Sequence, residues 1–342
     1  MRGDRDGEGK RDESMKKIKS LFILYIICLC ICILGLMGCA KKPVPKKPIK
    51  ISINVWPGYA VAFLAQEKGF FKKNNVDVQL ILKQFTPESL ELFTNGEVEG
   101  CFDILGDIIM MRAKGIPGKI VCVVDYSDTG DVIIGRPEIK SLAGLKGKTI
   151  SFEGINTFSH IFVVSALEKA GLSESDVKFK NISAHDVLAG LEEKRIDAGH
   201  TWEPTKSQTL KKGYKIFAKA GHFPGLITDV LVFTPTIIKE RPDEIRAIIK
   251  ALFEARDYLK NNMDEAVTIM ADKMGMSKEE MTAGLNGLYQ PSLQENLEFL
   301  TSPVLLYSSV KTIIDFYLKR GQLSRIIETN EVVEPRFIKE FE

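Results

Sequence analysis

Residues 51–81 read ISINVWPGYAVAFLAQEKGFFKKNNVDVQLI. A stretch at 51–55 carrying Ile51, Ile53 and Val55 leads into Trp56-Pro57-Gly58-Tyr59. Residues 60–69 then carry helical spacing and end on glycine, and a second stretch, with Val76, Val78, Leu80 and Ile81, occupies 76–81. Short stretches rich in aliphatic residues and bounded by turn residues predict strands, and a glycine after the last periodic residue predicts a helix stop. The stretch is therefore a β-α-β unit.

The alternation continues outward. A helix is expected at 87–95, a strand at 100–105, a helix at 107–114 and an almost wholly apolar strand at 120–126. Continuous apolar strands belong to sheets covered on both faces, which predicts an α/β lobe with its ligand site at the carboxyl ends of the strands. A second run of the same kind follows: strands at 131–135, 149–152, 177–182, 197–202 and 215–218, with helices at 159–170 and 186–193. After a further strand at 226–233, a long amphipathic helix at 242–260 opens a helical tail without βα alternation, expected to pack back on the first lobe.

Upstream, residues 1–14 are charges and glycine with nothing to bury, and they read as an extension. Lys16, Lys17 and Lys19 precede an uncharged run at 21–37 that ends in Leu36-Met37-Gly38-Cys39. That is the layout of a secretory signal with a lipobox, which predicts acylation of Cys39, and it makes Met15 the more natural start. An uncleaved span is the alternative, and the positive-inside rule leaves the main domain on the same outer side. Residues 41–50, KKPVPKKPIK, read as a solvated tether.

Charge bounds the partners. Beyond residue 50 the chain holds 35 basic and 40 acidic residues, a net −5 without a basic stripe, so no nucleic-acid partner is expected. Cys28, Cys30 and Cys32 fall in the signal segment. Cys101 and Cys122 sit in apolar strand contexts, as small hydrophobes or as a disulfide between neighbouring strands. With four histidines and no CxxC or HExxH, no metal and no cofactor is expected.

Four stretches carry a resemblance: WPGYAVAFLAQEKGFFKKNNVDVQL (56–80), LAGLKGKTISFEGINTFSHIFVVSALEKAGL (142–172), RIDAGHTWEP (195–204) and FPGLITDVLVFTP (223–235). In this order they resemble the periplasmic solute-binding proteins of the nitrate, sulfonate, taurine and thiamine-precursor class, which includes the THI5/NMT1-like domains. The resemblance implies a two-lobed type II periplasmic-binding fold, each lobe a mostly parallel sheet flanked by helices, with the ligand in the interlobe cleft. It divides the chain into signal (15–38), tether (39–50), lobe 1 (51–130 and 231–342) and lobe 2 (131–230), with hinge crossings near 131–135 and 226–233.

It also implies a role: an extracytoplasmic, lipid-anchored, monomeric capture protein for an ABC permease and ATPase, which closes on a small polar ligand and breaks no bond. A sensory receptor and a THI5-type pyrimidine synthase are the alternatives, the latter without its cysteine-rich stretch here. The expected ligand contacts are Trp56, Pro57, Gly58 and Tyr59 as an aromatic loop. Asn156, Thr157, Ser159 and His160 form a polar helix start, while Trp202 and Glu203 match a cleft-facing segment. Asp107, Asp128, Asp131 and Asp229 are carboxylates at strand ends or hinges. Carboxylates around one cleft favour a zwitterion such as taurine or an aminopyrimidine over a bare sulfonate or nitrate.

Overall fold

The computed structural model describes residues 15, 19–26, 47–302 and 306–341. Residues 1–47 and 48–342 form separate compact units. In the first unit residues 19–26 are helical, and Cys39 lies outside the described residues. Among those residues, no helix is long and apolar enough to cross a membrane.

The second unit is built on two sheets. The first has strand order β11-β4-β10-β3-β1-β2, from β1 (Ile49–Asn54), β2 (Val78–Lys83), β3 (Gly100–Ile104), β4 (Lys119–Ser127), β10 (Thr228–Phe233) and β11 (Leu288–Tyr289). The second has order β7-β6-β8-β5-β9, from β5 (Val132–Gly135), β6 (Thr149–Phe152), β7 (Lys178–Asn181), β8 (Ala198–Thr201) and β9 (Lys215–Lys219). Each sheet has its own helices, giving two α/β lobes.

Both sheets are mixed, not mostly parallel as the resemblance implied. Strand β1 runs parallel to β2 and β3, but β10 is antiparallel to both β3 and β4; β5 is likewise antiparallel to β8 and β9. The reason is the path of the chain. It leaves the first sheet after β4 and returns as β10, and each passage between lobes reverses one strand. The segments that link the two sheets are 128–131, before the strand that starts at 132, and 220–227, before the strand that starts at 228.

Strand β1 has Ile49, Ile51 and Ile53 fully buried with Ser52 between them, covered on both faces. In β5 the period of two splits the core: Ile133 joins the main cluster, while Val132 and Ile134 join a smaller one with Ile182, Val187, Leu191 and Ile196. The C-terminal helices contact helices of the first lobe. Helix Pro242–Asn261 packs against Val61–Glu67, and helix Leu306–Lys319 against Leu105–Ala113.

Cys101 and Cys122 are buried and free. Strand β10 explains this, because it pairs Val232 with Cys101 and Leu231 with Cys122 and so lies between them. Two strand spacings are about 9.6 Å, beyond the roughly 7 Å that a disulfide spans.

Candidate functional site

The carboxyl ends of β1, β3 and β4 and the start of β10 face the second lobe, where the tops of β5 and β8 and the first turn of helix Phe158–Lys169 meet them. Between them lies a cavity of about 10 Å³ lined by Asn54, Trp56, Tyr59, Thr86, Ile104, Asp131, Phe158, Trp202, Ile227 and Asp229. That volume suits about one water molecule, so the lobes are closed.

Five buried polar atoms on this lining have no hydrogen-bond partner: Asn54 Oδ1, Thr86 Oγ1, Asp131 Oδ2, Trp202 Nε1 and Asp229 Oδ2. Each such atom costs roughly 1–3 kcal/mol when left unsatisfied. Folded proteins pair nearly all buried polar atoms, and a cluster of exceptions around one cavity marks a place where something else supplies the partners.

Aromatic rings form the walls. Trp56 meets Trp202 edge to face at 6.3 Å and Tyr59 at 6.5 Å, while Phe158 lies 5.8 Å from Trp202. Loop 56–60 is held by acids beneath it: Trp56 Nε1 donates to both oxygens of Asp125 at 3.3 Å, and Tyr59 Oη donates to Asp229. Gly58 allows this approach, because a Cβ there would stand 1.8 Å from Asp125 Oδ2.

Burial pushes Asp125 up to about 7, against the pull of Asp229, Arg256 and Trp56. Asp229 is pushed well above the carboxylate range by burial and then by the Asp125 charge.

Of the residues singled out in the sequence, Trp56, Tyr59, Asp131, Trp202 and Asp229 line the cavity. Pro57 and Gly58 lie in the same buried turn without lining it. The others have different partners. Asp107 Oδ1 accepts from Phe158 N at 2.8 Å and so caps a helix of the opposite lobe; burial raises it to about 7.

Thr157 is the N-cap of that helix, its hydroxyl accepting from His160 N at 3.3 Å and donating to Gly154 O at 2.8 Å. Asn156 adopts a positive φ of 68° in the turn before it. His160 stacks on Phe152 and turns Nε2 to Glu174 at 3.5 Å, away from the cleft, and burial lowers its pKa. Glu203 accepts from Ser207 and pairs with Lys206 at 3.1 Å, a contact within its own lobe. Asp128 is exposed in the first crossing, beside Gly221.

Ser159 is fully buried and bonds His200 Nδ1 at 2.7 Å, and His200 Nε2 in turn lies 2.9 Å from Asp131 Oδ1. Asn54, Thr86, Phe158 and His200 were not singled out in the sequence. Asn54, a polar side chain at the carboxyl end of a strand and two residues before the Trp56 loop, carried a usable signal. Thr86 before Pro87 reads as helix-start chemistry, and His200 is a lone histidine in a strand. Among the described residues, no cluster of His, Cys, Asp and Glu could hold a metal ion.

A family profile described as NMT1/THI5 like matches residues 56–266, which include nearly the whole of this lining. The chain belongs to the NMT1/THI5-like family. Relatives within reach of this NMT1/THI5-like chain include a protein of Brucella abortus described as a binding protein, 25% identical over 282 residues, or 80% of this chain and 86% of the relative. The formylaminopyrimidine-binding protein of Halalkalibacterium halodurans is 22% identical over 263 residues, 72% of this chain and 77% of the relative. Among solved structures, the alkanesulfonate-binding protein SsuA of Xanthomonas axonopodis pv. citri, bound to MOPS, superposes with a TM-score of 0.70 at 17% identity, covering 85% of this chain and 99% of that one. The NMT1/THI5-like chain thus has the two-lobed periplasmic-binding fold.

Proposed function

We propose that this protein is the extracytoplasmic solute-binding component of an ABC importer, which captures a small, flat, nitrogen-bearing solute between its lobes and presents it to a permease and its ATPase. The observation that carries the reading is the group of unpartnered buried polar atoms on one narrow, aromatic-walled cavity between the lobes. A ligand that fills the cleft gives these atoms partners that the empty closed form lacks, and closure is thereby favoured in proportion to the difference in binding.

The chemistry of the wall narrows the solute. Acceptors outnumber donors and the flanking rings present flat faces, so a planar molecule rich in N–H donors, such as an aminopyrimidine, suits it better than a sulfonate. The similar proteins named above bind ligands of both kinds, a formylaminopyrimidine and an alkanesulfonate. Lipid attachment through Cys39 and action as a monomer complete the proposal. The relatives described as binding proteins favour binding over catalysis.

The test is a thermal-shift screen of the protein against aminopyrimidines, amidines, taurine, alkanesulfonates and nitrate. A saturable rise with one class supports capture, since a ligand that binds only the folded state stabilises it by mass action. A flat response to every class sinks the proposal.

A further inference from the structure

We infer that Ser159 and His200 are positioning residues that hold Asp131 as an anion with one carboxylate oxygen free in the cleft, so that the site selects a ligand placing a cationic donor there. The inference rests on the solute-binding reading above and deepens it at one point of the cavity.

The argument is an accounting of protons. Glu153 N donates to Ser159 Oγ at 3.1 Å, so the hydroxyl already accepts once. Ser159 has no exposed surface, and its own proton needs an acceptor, which His200 Nδ1 supplies at 2.7 Å. A ring that accepts at Nδ1 is neutral and protonated at Nε2. That N–H points at Asp131 Oδ1, 2.9 Å away, and takes it as acceptor, so Oδ1 carries no proton and the only other oxygen, Oδ2, is the one left open to the cleft. The other tautomer and the imidazolium both make Nδ1 a donor and leave the Ser159 proton without an acceptor among the described residues, which a buried hydroxyl tolerates poorly.

The ring is held in place. His200 is fully buried and lies 5.0 Å from Phe162, 5.6 Å from Phe158 and 5.4 Å from Trp202. Asp131 is pinned through its backbone, its N donating to Ser127 Oγ at 2.9 Å and its O accepting from Ala220 N at 3.0 Å. One crossing is thus tied to the other at the residue that carries the free oxygen.

Asp131 Oδ2 lines the cavity and has no partner. The buried cations nearby are engaged elsewhere: Lys206 with Glu203 at 3.1 Å and Thr129 O at 2.9 Å, Arg256 with the carbonyls of Pro291 and Val124. A buried carboxylate without a counter-charge is costly, and a cationic ligand group relieves that cost.

Serine, histidine and aspartate in a chain invite a nucleophilic reading, which the geometry rejects. The aspartate end faces the cavity, while Ser159 lies behind it with its oxygen engaged twice. The chain runs inward as a support for the carboxylate.

Two measurements test this. In protein labelled with ¹⁵N in its histidine rings, NMR at neutral pH should show His200, assigned through its contact with Trp202, as a neutral ring protonated at Nε2, and Ser159→Ala should move its Nδ1 resonance. A charged ring, or one protonated at Nδ1, overturns the inference, because Asp131 would then be ion-paired or protonated. Titration with benzamidinium and benzamide, equal in shape and different in charge, should favour the cation by about tenfold or more, as charge-assisted hydrogen bonds do. The preference should vanish in Asp131→Asn. Equal affinities, uptake of neither probe, or a preference that survives Asp131→Asn removes the cation assignment. Another solute raising the melting point in such a protein would leave the solute-binding reading standing.

Discussion

Asp125 and Asp229 are directly opposed on neighbouring strands, β4 and β10, with no exposed surface on the first and 2% on the second. Two acids at that separation do not both ionise in a dry setting, and they hold a proton between them. They lie under the aromatic loop, so their charge state underpins the floor of the cleft.

Stability should therefore fall as pH rises. Asp125 and Asp107 are each raised to about 7 in the folded protein by burial, against about 4 when unfolded. The folded state binds protons that the unfolded state has released, and this contribution is complete below about pH 4 and lost as pH passes through 7. Thermal melts between pH 5 and 8 should show a declining midpoint, with a shallower slope in Asp125→Asn. A midpoint that climbs over this range contradicts the shared proton.

Gly58→Ala should cost about 1–3 kcal/mol, the usual range for forcing extra volume into a packed site. Its Cβ would meet Asp125 Oδ2 at 1.8 Å and Trp56 Nε1 at 2.9 Å. Urea unfolding measures the loss, and a variant as stable as the parent would show that the loop shifts freely over Asp125.

Tyr317→Phe should loosen closure. The Tyr317 hydroxyl donates to Thr157 O at 3.0 Å, joining a helix of the first lobe to the helix start of the second. A net hydrogen bond of about 1 kcal/mol shifts an open-to-closed ratio roughly fivefold. Small-angle scattering should report a larger radius of gyration for the unliganded variant, and an unchanged one would place the latch elsewhere.

The chain contains two tryptophans, Trp56 and Trp202, and both line the cavity. Intrinsic emission therefore reports on the cleft without an added label. Ligand entry should change it in the parent, and each single Trp→Phe variant should keep part of the change. Emission indifferent to a solute that raises the melting point would place that solute outside the cleft.

Much of this was legible in the sequence, for reasons that differ by residue. The β-α alternation could be read because buried strands such as β4 are written as apolar runs, and Trp56, Tyr59, Trp202 and Asp229 could be read because they follow or open strands. Strand direction could not. The antiparallel β10 looks like any other apolar run, and only its partners reveal that it divides Cys101 from Cys122. The polar helix start at 156–160 was legible as a cap, but its facing was not: Ser159 turns inward to His200 while His160 turns to Glu174. Helical periodicity assigns a residue to a face without saying which neighbour waits there.

The place of β10 between β3 and β4 also sets an order of assembly. The second sheet uses only residues 132–219, whereas the first lacks a central strand until residue 233 has joined it. Local pairing precedes pairing across long chain separations, so the inserted lobe gains protection before the lobe that begins the chain. Pulse-labelled hydrogen exchange during refolding should find β5 to β9 protected ahead of β1 to β4. A nascent or translocating chain would then carry a finished inner half on an unfinished outer one, with the apolar edges of β3 and β4 exposed until β10 arrives.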